Sequence, residues 1–288
     1  MIGRLLTRIV DAQAGWARPL GEFNHRWLSA LFRPIRPVKD FLNGTWLGHP
    51  VHSALTDVPI GALTVALVLD VVGQRVAADV ALLVAVLSIV AAAVAGLADY
   101  TDIDGTARMR GTVHFVLMTA ALALFAISLL MRAGNPLDRT VPFLLLVVGY
   151  LVISVGAAVG GDLVYLIGTN VNRHAWRGAG AKWIALDIGV LQDIPEGGPT
   201  KAKAGINTLI LVRTGDTIRA LHETCAHAGG PLAEGTVVDG CIQCPWHGSR
   251  FRLENGHVAR GPAMYDQPAY EIRRAESGSG WEVRRAPR

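Results

Sequence analysis

Cys225-Ala-His227-Ala-Gly-Gly-Pro-Leu232 and, after sixteen residues that follow His227, Cys244-Pro-Trp-His247-Gly-Ser-Arg-Phe251 decide how this 288-residue chain is read. Each stretch is a short hook that offers one thiolate and one imidazole, set among glycine and proline turns. A single zinc ion accepts two cysteines and two histidines, but zinc fingers usually group Cys with Cys and His with His. Around the hooks, residues 183–188, 209–212, 217–221, 235–238, 269–272 and 281–283 are β-rich runs separated by Gly, Asp and Ser turns. The spacing predicts a small antiparallel all-β domain over 182–288, with the hooks as loops at one end.

The text CAHAGGPL followed by CPWHGSRF resembles Rieske domains, whose two-iron, two-sulfide centre takes two cysteines on one iron and two histidines on the other. The resemblance implies a [2Fe–2S] cluster held by Cys225, Cys244, His227 and His247. It also implies the branch. The high-potential type carries a second cysteine in each hook, and these pair as a disulfide; here the two positions are Gly230 and Trp246. That type places a tyrosine where this chain has Phe251, while Ser249, a second donor to cluster sulfur, is retained. Hydrogen bonds to sulfur favour the reduced cluster, so losing one lowers the potential. The resemblance therefore points to the ferredoxin and oxygenase branch, with a potential in the lower half of the roughly −150 to +300 mV Rieske range. Gly261-Pro262-Ala263 resembles the proline loop that covers the cluster in this family. Cys241, outside the set, reads as a small packing residue. With two of three cysteines assigned, no structural disulfide is implied, which suits a reducing compartment.

Hydrophobic residues make up 51% of the chain and charged ones 17%, with a mean hydropathy of +0.36. Four apolar segments, about 51–73, 78–98, 112–131 and 142–165, are long enough to cross a hydrocarbon core roughly 30 Å thick. The expected architecture is multidomain: residues 1–45 a basic amphipathic interfacial segment, 46–168 a four-helix transmembrane bundle, 169–181 a linker hinging at Gly178 and Gly180, and 182–288 the β domain. Leu5, Leu6, Ile9, Val10 and Trp16 alternate with Arg4, Arg8 and Asp11, as in a short helix lying on a membrane surface. No apolar h-region follows the early arginines, so a secretory signal is not expected.

An even number of spans puts both termini on one side. That side holds Arg33, Arg36, Lys39, Arg108, Arg110, Arg173, Arg177 and Lys182, against Arg75, Arg132 and Arg139 on the other. The positive-inside rule then places both termini and the β domain in the cytoplasm. Trp16, Trp27, Trp46, Trp176 and Trp183 fall on the same side, as an interfacial belt would. The net charge of +4 and pI near 9.2 fit attraction to anionic lipid, and no nucleic-acid motif competes. Expected partners are the bilayer and a cytoplasmic electron donor, a reductase or ferredoxin.

The stretches GHPVHSALTDVPIG, AGLADYTD and GTVHF, within residues 45–165, resemble a four-helix membrane family that brings no known chemistry with it. His49, His52, His114 and His174 all fall at the cytoplasmic end, with Asp99, Asp102 and Asp104 beside them. His49, His52 and His114, with Asp57 and Asp99, form a candidate second site for haem, a non-haem metal or quinone chemistry. The alternative is interfacial groups bonded to one another and to helix ends. Asp57 is expected to pair with His114 or to serve a proton path. Pro59 is expected to kink the first span, and Gly156 and Gly160 to support helix packing or a homo-oligomer.

Three functions follow: a membrane-anchored one-electron carrier, a membrane oxidoreductase fed by the cluster, or a redox sensor or assembly factor. Known Rieske oxygenases place their mononuclear iron in a domain after the cluster, and only about 40 residues follow His247, so any such metal is expected among the membrane helices.

Overall fold

A computed structural model describes residues 2–135, 137–176, 182–188, 194–276 and 280–287. The chain divides into two compact units, Met1–Leu42 with Pro50–Thr169, and Asn43–His49 with Asn170–Arg288.

The first unit is helical: α1 (Ile2–Asp11), α2 (Ala14–Phe32), α3 (Arg36–Asn43), α4 (Val51–Val71), α5 (Arg75–Tyr100), α6 (Gly105–Gly134) and α7 (Thr140–Tyr165). Helices α4 to α7 are each long and apolar enough to cross a membrane. They pack as two hairpins, α4 with α5 and α6 with α7, closed into a ring by α5 against α6 and α4 against α7. Small residues face inward, including Ala78, Ala85, Ala92 and Ala95 of α5, while Val80, Leu83, Leu87 and Val94 of the same helix are exposed. That arrangement lets backbones approach closely and leaves bulky aliphatics for lipid. Phe125 shows the fit: a Cβ added at Gly149 would lie 2.5 Å from its ring.

Helices α4 to α7 overlie the four apolar segments, with α6 starting at Gly105 instead of 112. Its first turns, Thr106 to Arg110, are polar and escape a hydropathy reading. Their charges are used. Arg110 donates to Asp11 at 2.8 and 3.1 Å, Arg108 to Glu22 at 2.6 Å, and Lys39 to Asp102 at 2.5 Å. Residues 2–43 are thus pinned to the ends of α5 and α6, and α2 in particular buries Ala17, Gly21, Asn24, Leu28 and Phe32. The expected surface helix is the first of three, and the long α2 lacks a strong sequence signal because Pro19, Gly21 and Asn24 interrupt its apolar stripe.

At the other end of the bundle lies a network that no sequence reading anticipated. Arg132, fully buried, donates to Asp70 at 2.6 and 3.0 Å, to Asp79 at 3.1 Å and to the Ser128 hydroxyl at 3.2 Å. Arg139 adds a second cation to Asp79 at 2.5 and 2.9 Å. The network ties together the ends of all four spans. Gly156 and Gly160 are likewise spent inside the bundle, against Met118 and Leu117 and against His114 respectively, so that face is not open for the expected oligomer contact. Helix α4 runs on through a buried Pro59.

The second unit is all-β. Strands β1 (Ile184–Asp187), β2 (Pro199–Ala204), β3 (Asn207–Thr214), β4 (Thr217–His222), β9 (Ala269–Arg274) and β10 (Trp281–Arg285) close a barrel in the order β1-β10-β9-β4-β3-β2. Strands β5 (Thr236–Val238), β6 (Cys241–Gln243), β7 (Arg250–Arg252) and β8 (Val258–Arg260) form a second antiparallel sheet. The short β6 to β8 and the lysine-bearing β2 are too brief or too polar to read from alternation. Residues 170–176 are not a free linker: His174 donates from Nε2 to the Thr224 carbonyl at 2.8 Å, and the Arg173 N–H reaches the Ala226 carbonyl at 3.3 Å. Arg177, Gly178 and Gly180 lie outside the described residues.

Replacing Arg132 by Met strands Asp70 without its bidentate partner, and removing one member of a buried pair costs about 3–5 kcal/mol. Thermal unfolding of the detergent-solubilised chain should fall accordingly, and Arg132→Met with Asp70→Leu should recover most of the loss; an unchanged single variant contradicts the network.

Candidate metal centre

Both hooks are loops between strands, the first running from β4 to β5 and the second from β6 to β7. In each, the residues after the cysteine turn back so that amide groups face sulfur. The N–H groups of His227 and Ala228 donate to the Cys225 sulfur, and those of Trp246 and His247 to the Cys244 sulfur. Gly229 N–H closes on the Cys225 carbonyl at 3.0 Å, and Gly248 N–H on the Cys244 carbonyl at 3.1 Å, so the two hooks share one turn geometry. Gly229 and Gly248 supply the positive φ, 86° and 75°, that this turn requires.

The four side chains meet as two pairs. Cys225 and Cys244, 1% and 3% exposed, hydrogen-bond through their sulfurs. His227 and His247 stand edge to face, with ring centres 5.1 Å apart and planes at 88°. His227 is buried and His247 half-buried, so only the second imidazole reaches the surface. Trp246, 54% exposed, is with Pro245 the open part of the hook. Its ring lies on Gly230: a Cβ there would come within 2.8 Å of the Cys244 sulfur and 3.1 Å of the indole. The two positions where the high-potential type has a disulfide are therefore neighbours here, filled by an indole on a bare backbone.

Two buried side chains pin this arrangement. Gln267 accepts from the Ala226 N–H at 2.8 Å and donates to the His222 and Thr224 carbonyls at 2.7 Å each, fixing the end of β4 and two points of the first hook. Ser249, 0% exposed, accepts the Ala263 N–H at 3.0 Å, which joins the second hook to the Gly261–Ala263 turn. Gln267 was not legible in the sequence, being 41 positions from Ala226 in an irregular segment. His174 is brought to the first hook as well, its ring 4.6 Å from that of His222. The segment before α4 also belongs to this unit, with the Thr45 hydroxyl donating to the Ala263 carbonyl at 3.3 Å.

The membrane candidates do not gather as expected. His49 precedes the Pro50 cap of α4 and groups with the β unit, so it shares no helical face with His52. Asp57 is exposed and does not pair with His114, whose Nδ1 donates to the Gly156 carbonyl at 2.8 Å. Asp102 is taken by Lys39, and Asp99 is half-buried at the end of α5. His52 and His114 do meet, with ring centres 6.2 Å apart.

Among the described residues, no three Cys, His, Asp or Glu side chains surround one point. A two-iron cluster asks two protein ligands of each iron, as the two side-chain pairs offer. The donor set fits in kind as well: a soft sulfur pair lined with N–H donors, and an imidazole pair on the outer side.

Without a cluster, the two thiols share a proton. The hydrogen bond from Cys225, with the Trp246 and His247 amides, brings Cys244 down to about 7 against the opposing effect of burial. The same bond to Cys244, together with burial, pushes Cys225 well up. Thiolate absorbance of cluster-free Cys241→Ser protein should therefore rise once near pH 7, with the second thiolate appearing only at much higher pH. Cys225→Ser should move the first rise upward, and a single rise near pH 8.5 for both thiols contradicts the pairing.

The Rieske [2Fe-2S] domain model matches residues 185–271, and a second model, Predicted membrane protein (DUF2231), matches residues 48–173. The anthranilate 1,2-dioxygenase ferredoxin subunit of Burkholderia cepacia is 32% identical over 93 residues, which cover 32% of this chain and 84% of that protein. Ferredoxin CarAc of Metapseudomonas resinovorans is 33% identical over 70 residues, covering 24% of this chain and 65% of that one. Among solved structures, the ferredoxin of carbazole 1,9a-dioxygenase from Nocardioides aromaticivorans IC177 is 25% identical, covers 37% of this chain and 99% of its own, and gives a TM-score of 0.31. The hooks, the barrel and the ferredoxin relatives converge on one assignment: the chain belongs to the Rieske [2Fe–2S] family, its cluster domain fused to a predicted membrane domain.

Proposed function

We propose that this protein is a membrane-anchored one-electron carrier whose cluster domain lies on the cytoplasmic face. The observation that carries the proposal is the pairing within the hooks. Cys225 and Cys244 would hold one iron as thiolates, and His227 and His247 would hold the other through ring nitrogens. When bound, the cluster supplies one reversible electron-transfer step.

The chain's own residues set the terms of that step. The amides of His227, Ala228, Trp246 and His247 stabilise negative charge on sulfur, and Ser249 is placed to add a hydroxyl. Phe251, fully buried in the core beneath the hooks, has no hydroxyl to give. Two neutral imidazoles make the cluster less negative than an all-cysteine one, which favours accepting an electron. Gln267 holds the first hook rigid, so little rearrangement accompanies the change of charge. His247 and Trp246, the accessible side of the second hook, are the natural point of electron entry or exit.

Orientation is supported by eight basic residues near span ends on the side of the termini against three on the other. A donor of the reductase or ferredoxin class in the cytoplasm suits a cluster there. The ferredoxin relatives carry this domain as a separate subunit or component, and here it is joined to spans through Asn170–Trp176.

An EPR-monitored redox titration of the full chain should give a midpoint below about +75 mV, the middle of the Rieske range. His247→Ala should abolish the Rieske signal, and protease should remove the cluster domain from inside-out vesicles only. A midpoint near the top of the range, a surviving signal, or cleavage from right-side-out vesicles overturns the corresponding part.

A further inference from the structure

The two hairpins of the bundle repeat one device. His52 of α4 donates from Nδ1 to the Ala92 carbonyl of α5 at 2.8 Å, and His114 of α6 donates from Nδ1 to the Gly156 carbonyl of α7 at 2.8 Å. Four residues on from each acceptor stands a glycine under the ring. A Cβ at Gly96 would lie 2.9 Å from Nδ1 of His52, and one at Gly160 would lie 3.0 Å from Cε1 of His114. The correspondence extends along the spans: Asp70 is 18 residues after His52, and Arg132 is 18 after His114 (70 − 52 = 132 − 114). Eighteen residues are five helical turns, so each helix carries both groups on one stripe, about 27 Å apart.

This geometry fixes the tautomers. A carbonyl can only accept, so both rings carry their proton on Nδ1, and each Nε2 presents a bare lone pair. Neither Nε2 bonds to a described residue, and neither ring can donate to the other. The rings nevertheless meet edge to face from opposite hairpins, with centres 6.2 Å apart and planes at 82°. Two metal–nitrogen bonds of about 2 Å each, plus roughly 1 Å from each nitrogen to its ring centre, span about 6 Å. An Nδ1–H held by a backbone carbonyl is also what a metal-binding imidazole ordinarily has behind it.

The ligand count selects the metal. No third Cys, His, Asp or Glu completes the site among the described residues, so a bare divalent ion would lack protein donors. A haem iron brings four nitrogens of its own and needs two axial ligands. We propose that His52 and His114 are the axial ligands of a non-covalently held haem seated in the seam between the two hairpins, whose far end is clamped by Asp70 and Arg132. The site stands on the bundle alone; its use as the one-electron partner of the cluster rests on the function proposed above.

The full-length chain, purified in detergent, is titrated with ferric haem and followed by visible absorption and EPR. One equivalent should bind with a six-coordinate, low-spin spectrum. His52→Ala and His114→Ala should each weaken binding at least tenfold and lose the low-spin signal, while Gly160→Ala, which presses on the His114 ring, should shift it. The cluster's own EPR signal and the helical content, unchanged in the variants, report that both units are folded and separate this proposal from the cluster assignment. No saturable haem binding by the wild-type chain, a low-spin signal that survives in the double His variant, or one equivalent of zinc or copper bound in its place overturns it.

Discussion

Loops that offer sulfur and imidazole to a two-iron cluster work only if the two are held at fixed separation while charge comes and goes, and here one neutral side chain pins the first of them. Gln267 fills three backbone groups, at the end of β4 and in the first hook, from a position with 1% exposure. A neutral amide satisfies both a donor and acceptors without bringing a charge beside the cluster. Ser249 does the same for the second hook and the Gly261–Ala263 turn. The barrel strands β4 and β9 exist, from the site's viewpoint, to place Gln267 and the first hook opposite each other.

Much of this was legible in the sequence, for reasons that differ by element. The hooks could be read because their ligands sit two and three residues apart and their turns demand glycine. The four spans could be read because the bilayer imposes length and apolarity on continuous segments. Helix α2 could not, since its buried face of Ala17, Gly21, Asn24, Leu28 and Phe32 is too mixed to mark as apolar. Gln267 and the Arg132 network were hidden for another reason: each acts through partners distant in sequence, and only the fold brings them together. His49 and His174, near span ends along the chain, group with the β unit, a placement that only the fold supplies.

The bundle has its own internal logic. Each hairpin places an imidazole at one end and a charge at the other on a single helical stripe, so the polar groups of the two hairpins meet at both ends of an otherwise apolar interior. At one end the charges are opposite and neutralise each other as Asp70 and Arg132. At the other end the groups are alike, two imidazoles with their protons already committed. It is at this end, and not the salt-bridged one, that the haem site is proposed.

The account rests on two imidazole nitrogens, from His227 and His247, being bound to one iron of the cluster. Pulsed EPR of the reduced full-length chain reads them directly, as couplings of the electron spin to nitrogen nuclei. Two strongly coupled, inequivalent histidine nitrogens, one of which disappears in His247→Ala, are the expected result. A spectrum with no strongly coupled nitrogen, as four thiolate ligands would give, contradicts it.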